Sequence, residues 1–203
     1  MDIVMMFLII VASYLLGSIP FSYLVARARG VDLRKVGSGN IGGANVWRSC
    51  GFGAFLVAVA LDILKGAALP LVVIYILSLP PLVVILTGLA AVLGHTFSIF
   101  MGFKGGKAVA TSGGVLLAVF PLGTLVGVIA WICAFALTRI SSVGSLTAAG
   151  VVVPFALVML VMGRLDLAYA LFTCAVGILI LYLHRANIQR LRAGTENRFQ
   201  RLR

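Results

Sequence analysis

The stretch that decides the fold runs from Val109 to Leu137 and reads VATSGGVLLAVFPLGTLVGVIAWICAFAL. It contains 29 residues, none of them charged, and it carries Pro121 and Gly123 near its middle. A helix that spans a membrane needs about 20 residues, so this stretch is long for a single span. Because proline and glycine interrupt helices, we expect two short helices here, or a re-entrant hairpin in their place.

The composition of the whole chain places this stretch in a membrane protein. Hydrophobic residues make up 62% of the 203 positions and charged residues only 10%, and the mean hydropathy is +1.18. Soluble domains contain about 45–50% apolar and about 25% charged residues, so the excess apolar surface must face lipid. We therefore predict an all-α integral membrane protein in which residues 1–203 form a single polytopic domain.

The distribution of charge sets the number of crossings. Further apolar stretches lie at about 3–26, 52–79, 82–101, 143–163 and 167–183. If these and 109–137 each crossed once, both ends of the chain would lie on the same side of the membrane. The N-terminal end carries only Asp2, however, whereas the C-terminal tail is rich in arginine, which the positive-inside rule keeps in the cytoplasm. These arginines are Arg185, Arg190, Arg192, Arg198, Arg201 and Arg203.

An odd number of crossings is therefore needed, and the break in 109–137 supplies it. We predict seven transmembrane helices, some of them short or re-entrant, with the N-terminus outside and the C-terminus in the cytoplasm. The chain begins Met-Asp and lacks the basic region of a signal peptide, so we expect the first helix to be retained. Two crossings and a re-entrant hairpin both return the chain to the cytoplasm at Arg139, so this choice stays open.

With this topology, four polar segments that are far apart in the sequence meet on the cytoplasmic side. They are 36–48, 95–111, 139–145 and 184–198, and they are rich in glycine, small hydroxyl residues, asparagine and cations. Basic clusters beside membrane spans follow the positive-inside rule, bind anionic phosphates, or do both. The combination of cations with glycine and asparagine favours phosphate binding.

The first segment contains Gly37-x-Gly39-x-x-Gly42, which matches the dinucleotide fingerprint in spacing. That fingerprint follows a strand in a βαβ unit, whereas this segment follows a membrane helix, so a Rossmann site is excluded. Glycines still allow backbone amides to converge on an anion at a helix N-terminus. The candidate phosphate ligands are Ser38, Asn40, Asn45 and Arg48, and the alternative is that glycine and asparagine only form turns.

The second segment contains Gly105-Gly106-Lys107, preceded by Lys104. It is not a P-loop, because Met101 stands at the first glycine position and Ala108 follows the lysine. Two lysines in a glycine loop that opens a helix are suited to a phosphate monoester or an acyl phosphate. His95 ends an apolar helix, and a structural role is favoured for it over a ligand role.

The third and fourth segments add hydroxyl, imidazole and amide groups. Ser142 and Ser145 lie at a helix start, where they either cap the helix or bind phosphate. His184 and Asn187 are three residues apart and therefore share a helix face. The arginines of the fourth segment either bind anionic lipid head groups or take part in the site.

Asp62 and Lys65 are ionisable residues inside the second apolar stretch. Such residues are costly in lipid and indicate function, and we expect this pair to support the phosphate loops, with Lys65 directed to the inner site. The three cysteines are far apart and form no metal-binding motif. We expect neither a metal ion nor a cofactor.

Together these segments resemble the bacterial acyl-phosphate-dependent glycerol-3-phosphate acyltransferases, the PlsY family. The resemblance spans nearly the whole chain. The motifs that carry it are Gly37-Ser38-Gly39-Asn40-Ile41-Gly42 with Asn45 and Arg48, Leu61-Asp62-x-x-Lys65-Gly66, Gly94-His95 with Phe103-Lys104-Gly105-Gly106-Lys107-x-Val109-Ala110-Thr111, and His184-Arg185-x-Asn187-Ile188-x-Arg190-Leu191-x-x-Gly194-Thr195-Glu196.

The resemblance implies an enzyme of the bacterial inner membrane with its active site on the cytoplasmic face. It transfers a fatty acyl group from acyl phosphate to sn-glycerol 3-phosphate, giving lysophosphatidic acid and phosphate in the first step of phospholipid biosynthesis. Its implied partners are these substrates and membrane lipids, with no nucleic acid and no obligate protein partner. By the same resemblance, Ser38, Arg48, Lys107, His184 and Asn187 form the polar site. Weaker members are Lys104, Asn40, Asn45, Gly105, Gly106, Ser142 and Ser145.

Two positions depart from the pattern of that family. The family more often has Gly-Ala-Thr-Asn where this chain has Gly42-Gly43-Ala44-Asn45, so a hydroxyl is missing at position 44. It also usually has glycine where this chain has Ala108. The second change puts in question how closely the loop backbone approaches its ligand.

The chemistry of acyl phosphate fits these residues, because an activated acyl donor requires positioning and preorganised donors rather than a metal or a covalent nucleophile. We expect the cations and the amides of Gly105 and Gly106 to supply them. No His-x4-Asp motif is present, since Phe100 and Gln189 stand at the required positions. The proton acceptor is then His184 or a phosphate oxygen, and we expect His184 mainly to orient phosphate.

The competing interpretation is a small transporter or lipid-binding scaffold that recognises a phosphorylated solute without reacting with it. Transporters often contain internal repeats, and the four polar motifs of this chain differ from one another. Polar residues are also sparse on the predicted outer side. Both features favour the enzyme.

Overall fold

The computed structural model describes residues 3–199, and all regular secondary structure within that range is helical. Asp2, Arg201 and Arg203, whose charges entered the topology prediction, lie outside the described residues. The helices are α1 (Ile3–Ser18), α2 (Phe21–Arg27), α3 (Gly43–Cys50), α4 (Phe52–Leu71), α5 (Pro81–Thr96), α6 (Val109–Val119), α7 (Pro121–Thr138), α8 (Ser141–Val161), α9 (Leu167–Leu183) and α10 (Arg185–Arg192). A π-helical turn (Val72–Ile76) follows α4, and a 3-10 turn (Ile99–Met101) follows α5.

The stretch 109–137 is divided as its sequence predicts. Helix α6 ends at Val119 and α7 begins at Pro121, which lies in the first turn of α7. Proline is well placed there because the first amides of a helix have no intrahelical acceptor. With 11 residues, α6 is about 16 Å long, which is less than the hydrocarbon thickness of a bilayer, about 30 Å.

The described residues contain five helical segments that are long and apolar enough to cross a membrane, or six if α9 and α10 form one bent span. Three of these segments combine elements named above, namely Ile3–Arg27, Phe52–Ile76 and Pro81–Met101. The all-α membrane fold is thus confirmed. The seven crossings and the orientation of the termini stay predictions.

The chain divides into two compact units, Met1–Val119 and Phe120–Arg203, and the division falls at the break between α6 and α7. That a single domain covers residues 1–203 stays a prediction.

The first unit is held together by small residues at helix crossings. Gly17 of α1 lies against the backbone of Ala91 in α5, and Gly66 of α4 lies against the backbone of Thr111 in α6. A Cβ at either glycine would overlap main-chain atoms, so no larger residue fits there. Ser13 also donates a hydrogen bond to the Thr87 carbonyl across the α1–α5 contact (2.8 Å). Close backbone approach is the usual packing device in lipid, where the hydrophobic effect does not drive helices together.

The second unit packs α7 against α8 and α8 against α9. Gly127 of α7 faces the side chain of Val152, and Gly177 of α9 faces that of Val153. Phe120 and Phe155 stack with ring centroids 5.6 Å apart. Both units expose large apolar side chains along their helices, among them Leu64 and Val161, as lipid-facing surfaces require.

Candidate active site

The glycine-rich loop at residues 37–42 is organised by Asn45 of α3. The Asn45 amide donates to the carbonyls of Leu33, Val36 and Asn40 (3.1, 3.0 and 2.9 Å), and its oxygen accepts from the Ser38 amide (3.2 Å). The side chain is 1% exposed. The polar atoms of Asn45 thus shape the loop, and its direct binding to phosphate stays a prediction.

Asn40 also serves the loop, since its side-chain oxygen accepts from the amide of Gly42, at the start of α3 (2.9 Å). Gly37 and Gly39 adopt positive φ (58° and 70°), which glycine reaches without the cost that other residues incur. These contacts present the Ser38 side chain on the exposed surface of the loop. Arg48, in the last turn of α3, is half-buried.

The second loop, residues 104–108, turns back against the end of α5. The amide of Gly105 donates to the Thr96 carbonyl (2.9 Å), and the amide of Gly106 donates to the His95 carbonyl (3.1 Å). Both N–H groups donate to backbone carbonyls in this structure, and their binding to phosphate or an oxyanion stays a prediction. The two glycines allow close packing instead, because a Cβ at Gly105 would overlap the His95 and Thr96 carbonyls.

The lysines of this loop differ in exposure. Lys104 is exposed, and Lys107 is half-buried two residues before the start of α6. Ala108 is buried at φ +56°, a conformation that favours glycine. This backbone conformation explains why a glycine at position 108 suits the loop.

Asp62 and Lys65 form a buried ion pair in α4, with Lys65 Nζ 2.8 Å from Asp62 Oδ1. Ser22 of α2 donates to Asp62 Oδ2 (2.7 Å), and Lys65 donates to the Ile19 carbonyl at the break between α1 and α2 (2.7 Å). Lys65 thus binds the chain at that break, whereas we expected it to point to the inner site. His95 Nδ1 lies 3.6 Å from Asp62 Oδ1.

In the second unit, His184 and Asn187 lie at the bend of 54° between α9 and α10. His184 is 3% exposed, and its Nδ1 is 2.8 Å from the Ile180 carbonyl. Because a carbonyl oxygen only accepts, Nδ1 carries a proton, and in the neutral ring Nε2 is the basic nitrogen. This contact therefore fixes the orientation of the His184 ring.

Glu196 is the functional-site candidate that our sequence reasoning missed. Its Oε1 accepts from Asn187 (2.6 Å) and Ser142 (2.9 Å), and its Oε2 accepts from Arg190 Nε (2.6 Å). Burial by itself would raise the pKa of Glu196, but these hydrogen bonds and the Arg190 charge lower the pKa below its ordinary value. One signal was available, since Glu196 is an isolated acid in an arginine-rich tail.

The two serines of α8 have structural partners. Ser142 donates its only hydroxyl proton to Glu196, and Ser145 donates its own to the Ser141 carbonyl (3.1 Å). Both hydroxyl protons have partners within the protein, and phosphate binding by these serines stays a prediction. Capping is not their role, because Ile140 is the N-cap of α8 and no side chain caps that helix.

The structure therefore groups the predicted site residues by unit. Ser38, Arg48, Lys104 and Lys107 belong to loops or helix ends of the first unit, and His184 and Asn187 belong to the second. Among residues 3–199, no group of three or more His, Cys, Asp or Glu side chains is placed to hold a metal ion.

Comparison with known proteins identifies the class. The family model described as glycerol-3-phosphate acyltransferase matches residues 7–194. A glycerol-3-phosphate acyltransferase of Roseiflexus sp. (strain RS-1) is 58% identical over 194 residues, covering 96% of this chain and 95% of the relative. Among solved structures, PlsY, an integral membrane glycerol 3-phosphate acyltransferase, matches in its glycerol 3-phosphate form with a TM-score of 0.88 at 40% identity, covering 96% of each chain. Its lysophosphatidic acid form matches with a TM-score of 0.87 at 38% identity, covering 96% of this chain and 95% of that one.

A helical membrane chain that matches these enzymes over nearly all of its length is an integral membrane acyltransferase. It belongs to the glycerol-3-phosphate acyltransferase family of the PlsY type. The predicted family and enzyme class are confirmed, and phospholipid synthesis follows from the family.

Proposed function

We propose that this enzyme transfers a fatty acyl group from acyl phosphate to sn-glycerol 3-phosphate, giving 1-acylglycerol 3-phosphate and inorganic phosphate as the first step of phospholipid synthesis. The observation that carries the proposal is the match to PlsY, whose two solved forms contain glycerol 3-phosphate and lysophosphatidic acid. These are the acceptor and the product of the proposed reaction. The donor is proposed from the motif resemblance and from the chemistry of the site residues.

Ser38, Arg48, Lys104 and Lys107 are proposed to bind the phosphate groups. Arginine can hold a phosphate through two parallel hydrogen bonds, and lysine neutralises it as a point charge. The loop of residues 37–42 supports Ser38 through Asn45, and the end of α5 supports Lys107 through the two glycine amides. Asn40, Asn45, Gly105 and Gly106 therefore act by shaping the loops.

In the reaction, the primary hydroxyl oxygen of glycerol 3-phosphate attacks the carbonyl carbon of acyl phosphate. The bond between that carbon and the phosphate oxygen breaks, and phosphate leaves with the bonding electron pair. The hydroxyl proton passes to a phosphate oxygen. His184 and Asn187 orient the phosphate, and the cations stabilise the negative charge that develops on the carbonyl oxygen.

His184 Nε2 is the alternative proton acceptor, because Nδ1 is engaged with the Ile180 carbonyl. The variant His184→Gln distinguishes the two roles. If His184 only orients phosphate, the variant should keep measurable turnover and show a raised KM for glycerol 3-phosphate. Loss of turnover with unchanged substrate binding would assign proton transfer to His184.

We propose that the protein lies in the bacterial inner membrane with the site on the cytoplasmic face. The charge asymmetry of the chain supports this orientation. A lateral opening toward lipid would then admit the amphiphilic donor, while glycerol 3-phosphate would enter from the aqueous side.

The decisive experiment uses the purified full chain in detergent or nanodiscs. Palmitoyl phosphate and glycerol 3-phosphate should yield inorganic phosphate and the acylated product in equal amounts, and Lys107→Ala should lose most of this turnover. Palmitoyl-CoA serves as the donor control and should give no product. Turnover with palmitoyl-CoA alone would overturn the proposed donor, and binding of glycerol 3-phosphate without turnover on any donor would favour a transporter or scaffold.

A further inference from the structure

We infer that His95 is a positioning residue, which fixes the loop of residues 104–108 by filling the space beside Gly106. The inference rests on the proposed role of Lys107, which follows Gly106 directly. It assigns a purpose to the buried charges of α4, which our proposed reaction does not use.

Both the backbone and the ring of His95 lie against Gly106. The His95 carbonyl accepts from the Gly106 amide (3.1 Å), and the His95 ring lies where a Gly106 side chain would be. A Cβ at Gly106 would overlap Nε2 of the ring. Gly106 does not adopt a positive φ, so the ring, and not backbone conformation, requires glycine at this position.

The His95 ring lies beside the buried carboxylate of Asp62. His95 is 9% exposed, and its Nδ1 faces Asp62 Oδ1 at 3.6 Å. The carboxylate is fixed by Lys65 and by Ser22, and Lys65 in turn donates to the Ile19 carbonyl. The ring is therefore placed from one side by a carboxylate that is anchored to α2, α4 and the α1–α2 break.

The Asp62–Lys65 pair carries a free-energy cost, because it lies inside a membrane segment. Ionisable groups inside a membrane segment are expensive, and a buried ion pair can often be replaced by apolar residues without loss of stability. The presence of an ion pair at this place is explained if the pair performs a task that apolar residues cannot perform. Orientation of an imidazole by a nearby carboxylate is such a task, because the negative charge attracts one edge of the ring and a methyl group does not.

The contact between His95 and Gly106 is tested by enlarging Gly106 and shortening the side chain at position 95. Gly106→Ala alone should raise the KM for glycerol 3-phosphate by up to about 100-fold, because displacement of a binding group by about 1 Å can have that effect. His95→Asn keeps an amide near Asp62 but removes the part of the ring that faces Gly106. The double variant should therefore recover KM by about tenfold relative to Gly106→Ala, as expected for coupled residues in contact.

Three matched variants control this comparison. His95→Gln keeps an atom near the position of Nε2, so it should not rescue Gly106→Ala. Gly105→Ala meets backbone carbonyls, so His95→Asn should not rescue it either. Gly113→Ala has open space around its Cβ and should behave as wild type in KM.

Rescue of KM by His95→Asn and not by His95→Gln supports the inference. It is overturned if neither variant changes the KM of Gly106→Ala while all chains keep their Tm, or if rescue appears in Tm and not in KM. Calorimetric binding of glycerol 3-phosphate repeats the comparison without turnover. Failure of the wild type to use palmitoyl phosphate would therefore count against the proposed donor and would leave the test of His95 intact.

Discussion

At the scale of single residues, a chemical type indicates what a side chain can do, and its neighbours decide what it does. Ser38, Arg48 and Lys107 have the chemistry that phosphate binding needs, and the structure leaves that assignment open to test. Asn45 and Ser142 have suitable chemistry as well, but their polar atoms are used within the protein. The hydrogen-bond partner of a hydroxyl or amide depends on residues distant in sequence, so the pattern of residues alone could not separate the two groups.

Ala108 provides a prediction at this scale. Its φ of +56° costs an L-residue about 1–2 kcal/mol, and part of this is offset because glycine loses more entropy on folding. Ala108→Gly should therefore stabilise the protein by about 1 kcal/mol, which raises Tm by about 2–4 °C, with activity retained. Thermal unfolding in detergent measures the change.

Ala110→Gly is the matched control, because Ala110 lies in α6 with helical geometry. Glycine in a helix costs about 1 kcal/mol relative to alanine, so this variant should lower Tm. Equal shifts in both variants would contradict the conformational argument for position 108.

At the scale of elements, helix α4 binds to its neighbours in the first unit through its buried charges. Removing one member of a buried pair typically costs about 3–5 kcal/mol, because the other charge is left without compensation. Asp62→Asn should therefore lower Tm strongly, since Lys65 would lose the carboxylate 2.8 Å away. The double variant Asp62→Leu with Lys65→Met should recover most of the stability.

The double variant also separates stability from function. If the pair orients His95, the recovered chain should keep a raised KM for glycerol 3-phosphate despite its normal Tm. The loss of stability in Asp62→Asn is attributed to the uncompensated charge of Lys65. A double variant that is no more stable than Asp62→Asn would contradict this explanation.

Helix α10 and the segment after it are tied to α8 through Glu196. Because the folded-state pKa of Glu196 lies below its ordinary value of 4.5, its contribution to stability is fully present above that pH. It is lost as pH falls through the lowered pKa. The Tm difference between the wild type and Glu196→Gln should therefore shrink as pH falls from about 7 to about 3. A difference that stays constant over this range would contradict the assignment.

At the scale of the whole molecule, the charge asymmetry predicts the orientation in the membrane. In a background that lacks Cys50, Cys133 and Cys174, a cysteine at exposed Arg164 should react with an impermeant thiol reagent from outside. A cysteine at exposed Lys35 should react only after the membrane is permeabilised. The reverse pattern would contradict the predicted orientation.

A cysteine at Leu122, just after the break between α6 and α7, separates the two forms of the stretch 109–137. Labelling from outside is expected if α6 and α7 each cross, and protection is expected if they form a re-entrant hairpin. The short α6 favours the hairpin, because about 16 Å of helix does not reach across about 30 Å of hydrocarbon.

The membrane fold, the break at Pro121 and the family could all be predicted from the sequence. These follow from local properties, since apolar run length, proline position and motif spacing are read along one chain. Three contacts became visible only in the folded chain. The amides of Gly105 and Gly106 donate to carbonyls at the end of α5, and Lys65 donates to the Ile19 carbonyl. Glu196 accepts hydrogen bonds from Asn187, Arg190 and Ser142. The physical reason is that a buried polar group must find a partner, and that partner is set by helix packing.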